Sequence, residues 1–239
     1  MIAPTTGIKN AGYGFSTIPS IQQISPSNHH ANDEYPGFLG FVMAMEGYAK
    51  HSHDGKHAPG HLLWMPCECE ICPEKKVRRC LNILARPTRL FGLDFDDAGN
   101  TLDAVIGALE ALNCDYYVHT SMSYIPGTAE KCRAVIHVRD LIHDNDENAE
   151  IFRALVPHFA GHGLVLDQSC KNISRKFYVP GTNLKTGVDC VSYAVLERGA
   201  LDITPFLEAE RKRAHKSQVL AKLKRSEMAR RLHGKTINP

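Results

Sequence analysis

Two aspartates, Asp94 and Asp96, close an apolar run of the sequence, and their spacing is its clearest chemical signal. Residues two apart in an extended strand point to the same side, so these aspartates share one face. Leu93 and Phe95 share the other face. Carboxylate oxygens at this spacing are suitable ligands for Mg²⁺ or Mn²⁺. The pattern therefore predicts a divalent-metal site, and two solvated acids at a strand end are the alternative.

The elements that must position these aspartates follow from the hydrophobic pattern. From about residue 88 the sequence predicts β-α-β-β-α-β, the order of the ferredoxin-like or RRM-like fold, and hence an α/β chain of the α+β type. Asn100 or Thr101 is placed to cap the first helix, and Gly161 or Gly163 ends the second. The strands are TRLFGLDFD, DYYVHTS, CRAVIHV and LVLD, and the helices are TLDAVIGALEALN and NDENAEIFRALVPHFAGHG.

The residues before this region predict an N-terminal α/β module that carries a His/Cys-rich insertion. About the first 35 residues are rich in Ser, Asn, Pro and Gly and are predicted to be largely loop. The apolar start of the next segment, FLGFVMAMEGYA, predicts a helix.

The ferredoxin-like order brings further charged residues to the aspartates. It places the first and third predicted strands side by side in the middle of the sheet, where Arg133, Val135 and His137 would share a face with the two aspartates. The fourth strand ends in Asp167, which could reach the same face. Three carboxylates beside basic groups on an open sheet surface are the layout of a polymerase palm, where two metal ions hold a nucleoside triphosphate and activate a 3′-hydroxyl.

Three motifs between about residues 88 and 182 resemble those of the archaeo-eukaryotic primase superfamily. The resemblance is closest to the primase-polymerase domains of phages, plasmids and other mobile elements. The motifs are Asp94-Phe95-Asp96, the block HTSMS…KCRAVIHV, and Asp167 followed by SRKFYVPG.

The resemblance implies a role for each matching residue. The three aspartates would hold Mg²⁺ or Mn²⁺. Arginine suits phosphate because its planar fork meets two oxygens at once. The residues implied to contact the phosphates of the incoming nucleotide are His119, Arg133, Arg175, Lys171 and His137.

One departure from the family pattern leaves the histidine assignment open. Many members carry Ser-x-His at the start of the third strand, and Arg133 stands near that place here. Either His119 or His137 is then the phosphate ligand, and a buried histidine bonded to backbone is the alternative for His119. Surface ion pairs are the alternative for the arginines. Asp97 faces away by strand alternation and is left out of the site.

The His/Cys-rich insertion, residues 50–80, is a candidate zinc site. Thiolates and imidazoles are the ligands of a tetrahedral structural zinc ion. The spacing C-x-C-x2-C-x7-C is not a standard pair of C-x2-C knuckles, so free thiols and solvated histidines are the alternative. The candidate ligands are Cys67, Cys69, Cys72 and Cys80, with His51, His53, His57 and His61 nearby. We interpret Cys114, Cys132, Cys170 and Cys190 as small buried residues.

Charge is unevenly distributed along the 239-residue chain. Residues 204–239 hold ten Lys/Arg against three Asp/Glu, a net charge of +7, which leaves −5 elsewhere because the total is +2. The tail predicts an amphipathic helix that attracts single-stranded DNA, with a solvated packing helix or a connector to a helicase as alternatives. The expected domains are 1–205, catalytic, with a palm at about 88–182, and 206–239, the basic helix.

The sequence also bounds the cellular setting. An apolar share of 43% supplies a core, and no run approaches the ~18 apolar residues of a membrane span. The first ten residues lack the layout of a signal peptide. We therefore expect a cytoplasmic protein without membrane association, whose eight cysteines are reduced. No Walker motif is found, so a helicase partner would lie outside this sequence.

The hypothesis is a template-directed nucleotidyltransferase, a DNA primase or primase-polymerase, that makes or extends primers during replication of a mobile element. Its partners would be a single-stranded DNA template, nucleoside triphosphates and a separate replicative helicase. The alternatives are a non-catalytic replication initiator that binds DNA, a nucleotide cyclase on the same palm, and a phosphohydrolase of the haloacid dehalogenase type. In that phosphohydrolase Asp94 would be the nucleophile and Asp96 the general acid.

Overall fold

A computed structural model describes residues 15–18, 31–33, 37–55, 62–68 and 85–234 of the chain. The chain divides into two compact units, Met1–Ile203 and Thr204–Pro239. The first unit is a mixed α/β structure. Its helices are α1 (Gly37–Ala49), α2 (Leu102–Ala111) and α3 (Asn145–Gly161). Its strands are β1 (Phe15–Ile18), β2 (Ala31–Asp33), β3 (Ser52–His53), β4 (Leu63–Met65), β5 (Thr88–Phe95), β6 (Tyr116–Thr120), β7 (Cys132–Ile142), β8 (Phe177–Tyr178), β9 (Thr182–Asn183) and β10 (Ser192–Val195).

The central sheet has the strand order β10-β6-β7-β5, and all neighbours are antiparallel. β5 and β7 are therefore adjacent, which confirms the predicted pairing of the first and third strands. In the described part of the sheet β5 forms an edge, whereas the sequence predicted it in the middle. β10 was not predicted at all. A second sheet has the order β2-β1-β4-β8, and β3 pairs with β9 in parallel.

The predicted fourth strand, residues 164–167, is not a strand in the structure. The side chain of Asn100 explains the difference, because it accepts a hydrogen bond from the Val165 N–H at 2.9 Å and donates to the Val165 carbonyl at 2.8 Å. These two bonds replace the ladder partners that a strand residue needs. The segment still runs beside β5, since the Asp167 N–H donates to the Asp94 carbonyl at 3.1 Å.

The two helices that follow the predicted pattern begin and end close to the expected residues. Thr101 rather than Asn100 caps α2, and its side chain accepts a hydrogen bond from the Ala104 N–H. The chain leaves α3 through Gly163, whose φ of +75° is a left-handed conformation that favours glycine. The predicted apolar face of α3 is buried, and its Phe159 packs against Phe95 with ring centroids 5.5 Å apart.

The other face of the central sheet is covered, and not open as predicted. Phe41 of α1 lies against Tyr117 of β6 at 6.3 Å between ring centroids. Phe177 of β8 packs so close to β5 that a Cβ atom on Gly92 would lie 2.8 Å from its ring. The sequence could not indicate this cover, because it is contributed by segments far from β5 along the chain.

The second unit consists of α4 (Thr204–Gly234) in its described part. Four of its apolar side chains, Val219, Leu220, Leu223 and Met228, are exposed. No helix in the described ranges is long and apolar enough to cross a membrane.

Candidate metal and nucleotide site

Three carboxylates meet at the end of β5. Asp94 lies in β5, Asp96 follows it by two residues, and Asp167 stands at the start of a short 3-10 helix, Gln168–Lys171. Each offers a carboxylate oxygen, and these oxygens all lie within 4.8 Å of one another. Asp94 is buried, with 1% of its surface exposed, while Asp96 and Asp167 are half-buried. The structure therefore brings together the three aspartates that the sequence singled out.

Three cationic side chains surround these carboxylates. Arg133 Nε lies 3.5 Å from Asp94 Oδ1. Arg175 Nη2 lies between two acids, 2.9 Å from Asp167 Oδ2 and 3.4 Å from Asp94 Oδ2. Lys131 Nζ is 4.0 Å from Asp96 Oδ1. Three formal negative charges thus face three positive charges.

The register of the central sheet creates this arrangement. Asp94 is paired with Arg133, Arg133 with His119, and His119 with Ser192. Cross-strand partners project from the same face of a sheet, so one row of side chains runs across four strands. Arg133 is held further by the Tyr178 carbonyl, to which Nη1 donates at 3.5 Å. The SRKFYVPG segment therefore lies over the row that begins at Asp94.

Local hydrogen bonds fix Asp167 and the backbone beside it. The Ser169 hydroxyl donates to Asp167 Oδ2 at 2.6 Å, and the Ser169 N–H donates to Oδ1 at 2.9 Å. The Asp94 N–H donates to the Cys170 sulfur at 3.2 Å. The Asn148 amide of α3 donates to the Cys170 carbonyl at 3.1 Å. The 3-10 helix is thus tied to both β5 and α3.

The pKa values of Asp94 and Asp167 shift in opposite directions, although burial raises both. It raises the pKa of Asp94 above its ordinary value, and although Arg133 and Arg175 oppose the rise, the charges of Asp96 and Asp167 add to it. Burial would also raise the pKa of Asp167, but the hydrogen bonds from Ser169 and the charge of Arg175 outweigh it and hold the pKa below the ordinary value. Ionised Asp94 therefore needs a cation beside it.

The donor set fits Mg²⁺ or Mn²⁺. All three ligands are carboxylates, the hard oxygen donors that these ions prefer. Within the described part of the chain, the buried Oδ1 atom of Asp94 accepts no hydrogen bond. A buried polar atom normally has a partner, so this oxygen is available to coordinate an ion. Asp97, which the sequence analysis left out of the site, is exposed and accepts a hydrogen bond from the Gly99 N–H.

His119 belongs to the row but is deeply buried. Its Nδ1 lies 2.9 Å from the carbonyl of Thr120, which can only accept, so Nδ1 carries a proton. In a neutral ring the lone pair is then on Nε2. A phosphate also only accepts, so contact through Nε2 would need the protonated imidazolium. Both sequence interpretations of His119, a backbone-bonded core residue and a phosphate ligand, are compatible with this placement.

The structure does not bring His137 to the aspartates. It lies four residues along β7 from Arg133, stacks on Phe38 of α1 with centroids 5.2 Å apart, and places Nδ1 3.4 Å from Asp115 Oδ2. Lys171 ends the 3-10 helix and is exposed. Nucleotide binding by His137 and Lys171 stays a prediction. The contact of His137 with Phe38 joins α1 to the central sheet.

Lys131 is a cation near the site that the sequence analysis missed. β5 and β7 pair in a register that sets Asp94 opposite Arg133 and ends with Phe95 opposite Cys132, and continuing that register by one residue would set Asp96 opposite Lys131. The alternation of Lys131 and Arg133 in KCR matches the alternation of the two aspartates. Extending the predicted strand pairing by two residues would have found it.

Of the four candidate zinc-binding cysteines, the structure describes Cys67. Cys67 is buried, and its sulfur lies 3.4 Å from the Ile173 carbonyl, to which the thiol donates. Cys69, Cys72 and Cys80 lie outside the described residues, so zinc binding stays a prediction. Of the other cysteines, Cys114, Cys132 and Cys170 are buried and Cys190 is half-buried.

Comparison with known proteins adds one structural likeness. The chain is similar to the solved AEP domain (PP-N190) of the primase-polymerase (PrimPol) of cyanophage S-2L, at 11% sequence identity over 82% of this chain and 88% of that chain. The TM-score is 0.47. No protein-family model matches the chain, and no curated protein matches it.

Proposed function

We propose that the chain is a template-directed nucleotidyltransferase, a DNA primase or primase-polymerase that makes or extends primers in the replication of a mobile element. The observation that carries the proposal is the cluster of Asp94, Asp96 and Asp167, whose oxygens lie within 4.8 Å of one another beside two arginines and a lysine. Hard oxygen ligands next to phosphate-binding cations are what nucleotide transfer requires.

The roles of the residues follow from this arrangement. The three aspartates would hold Mg²⁺ or Mn²⁺, which when bound would neutralise the triphosphate and lower the pKa of the attacking 3′-hydroxyl. Arg133 and Arg175 would donate hydrogen bonds to phosphate oxygens. His119 lies in the same row as Arg133 and would contact a phosphate in its protonated form. Ser169 would keep Asp167 oriented, through the two hydrogen bonds it donates to that carboxylate.

The remaining parts of the proposal concern partners. The basic α4 would attract single-stranded DNA, because each cation that neutralises a phosphate releases a counterion. A separate helicase would supply unwound template in the cytoplasm. A zinc ion held by Cys67, Cys69, Cys72 and Cys80 would order the 50–80 insertion. The palm would span about residues 88–182 within a catalytic domain of residues 1–205.

The test of the function is incorporation directed by a template. We would incubate the protein with a homopolymeric single-stranded DNA, Mn²⁺ and each labelled nucleotide in turn, with and without an annealed primer. The proposal expects incorporation of the complementary nucleotide and release of pyrophosphate. Incorporation that ignores the template, or release of inorganic phosphate alone, would refute it.

A further inference from the structure

Among the described residues, the formal charges of the acidic cluster are balanced without a divalent ion. Asp94, Asp96 and Asp167 contribute three negative charges, and Arg133, Arg175 and Lys131 bring three positive charges to within 4.0 Å of them. A divalent ion that entered alone would leave the cluster with an excess of two positive charges. Because Asp94 and Arg133 are buried, solvent would screen that excess poorly.

Arg175 stands where an ion bridging two of the acids would bind. Its Nη2 lies 2.9 Å from Asp167 Oδ2 and 3.4 Å from Asp94 Oδ2, so an ion that bridges these two oxygens must first displace the guanidinium. The two arginines differ in how firmly they are held. Arg133 is buried and donates to the Tyr178 carbonyl, whereas the Arg175 side chain is 32% exposed. Arg175 is therefore the arginine that can move.

The contacts of Arg175 leave its side chain able to adopt a second position away from the acids. Its Nε donates no hydrogen bond within the described part of the chain, so only the Nη2 end is fixed to the acids. The guanidinium carbon lies 6.0 Å from the centroid of the Phe177 ring, an apolar surface that supports a cationic plane without a fixed hydrogen-bond geometry.

We propose that Arg175 is a placeholder cation. It occupies the position between Asp94 and Asp167 until a divalent ion and a triphosphate arrive together, and it then moves to the phosphates. The anionic triphosphate offsets the charge of the ion and gives the displaced guanidinium a new partner. The protein should therefore bind free divalent ions weakly and the ion–triphosphate complex tightly. This inference rests on the proposed function for the identity of the triphosphate.

Titration with Mn²⁺ alone tests the placeholder directly. Electron paramagnetic resonance measures the concentration of unbound Mn²⁺ at each step of the titration. Arg175→Gln removes the positive charge that competes with the ion. The variant protein should therefore bind Mn²⁺ with a dissociation constant about tenfold lower than wild type, a factor that corresponds to the energy of one charged hydrogen bond. Arg175→Lys keeps the charge and should stay near the wild-type value. Arg139→Gln is the matched control, because Arg139 forms an exposed ion pair with Asp202 and should leave Mn²⁺ affinity unchanged.

A second titration, with deoxyadenosine triphosphate at saturating Mn²⁺, completes the test. Arg175→Gln should bind this complex about tenfold more weakly, although it binds Mn²⁺ alone more tightly. Opposite changes in the two affinities are specific to a residue that exchanges partners. A purely structural arginine would weaken both.

Unchanged or weaker Mn²⁺ binding by Arg175→Gln would overturn the inference. Should that variant not fold, Lys131→Gln serves instead, because Lys131 is part-exposed and pairs with Asp96. Its Mn²⁺ affinity should rise roughly two- to fivefold, and no rise would refute the charge competition on which the placeholder depends. A wild-type protein that incorporates no nucleotide would remove the proposed function but would leave the Mn²⁺ titrations valid for Arg175.

Discussion

Asp94 combines two properties that a solvated acid does not have. It is 1% exposed, and the guanidinium groups of Arg133 and Arg175 lie within 3.5 Å of its two oxygens. A carboxylate so deeply buried persists because its charge is compensated. The same position is a poor one for the nucleophile of a phosphohydrolase, since two bound cations reduce the nucleophilicity of the carboxylate.

The stability of the protein should therefore depend on Asp94. Asp94→Ala leaves Arg133 buried without its carboxylate, and we expect the free energy of unfolding in urea to fall by about 3 kcal/mol or more. Asp140→Ala removes an exposed acid from β7 and should change stability by less than about 0.5 kcal/mol. Equal stability of the two variants would show that Asp94 is solvated in solution.

At the scale of elements, the site depends on a close approach between two sheets. Phe177 of β8 packs on Gly92 of β5, where a methyl group would lie 2.8 Å from the ring. Gly92→Ala must therefore push β8 outward, and we expect a loss of about 1–3 kcal/mol in the free energy of unfolding. Gly107→Ala, in α2 with nothing within 4 Å of the added methyl, should gain about 0.5–1 kcal/mol. A neutral Gly92→Ala would contradict this packing.

The contact between α1 and β7 gives a prediction about pH. Burial against α1 lowers the pKa of His137 below its ordinary value, although Asp115 opposes the shift. The folded state then binds fewer protons than the unfolded state as the pH falls below about 6.5, so stability decreases on acidification. The decrease in unfolding free energy between about pH 7.5 and 5.5 should be smaller in His137→Gln. Parallel pH curves for the two proteins would exclude His137 as a cause.

Strand alternation and helix periodicity predicted the local part of this architecture. Alternation placed Asp94 and Asp96 on one face, because side-chain direction repeats within a strand. The ferredoxin-like order of the predicted elements brought Arg133 to the neighbouring strand. The local patterns failed at residues 164–167, where the distant side chain of Asn100 replaces a strand ladder. They also missed the burial of Asp94. That burial comes from long-range contacts that no local pattern encodes.

At the scale of the whole molecule, charge is unevenly divided along the chain, and the proposed function assigns DNA capture to the basic part. Residues 204–239 carry +7 and the rest −5, so most of the attraction to a polyanion should come from α4. Deleting residues 206–239 should weaken binding to single-stranded DNA and, if about five phosphate contacts are lost, reduce the log–log salt slope by roughly three to four. Fluorescence anisotropy across a salt series measures this. An unchanged slope would assign α4 to another partner.

If the carboxylate cluster performs template-directed transfer, exchanging one of its acids should affect incorporation far more than exchanging the acid beside it. Asp96→Asn removes a charged ligand from the cluster at a half-buried position, while Asp97→Asn changes the adjacent exposed acid outside it. In the homopolymer assay with Mn²⁺, we predict that Asp96→Asn loses incorporation by at least about a hundredfold and that Asp97→Asn retains it. Full activity in Asp96→Asn, with its fold confirmed by circular dichroism, would contradict the account.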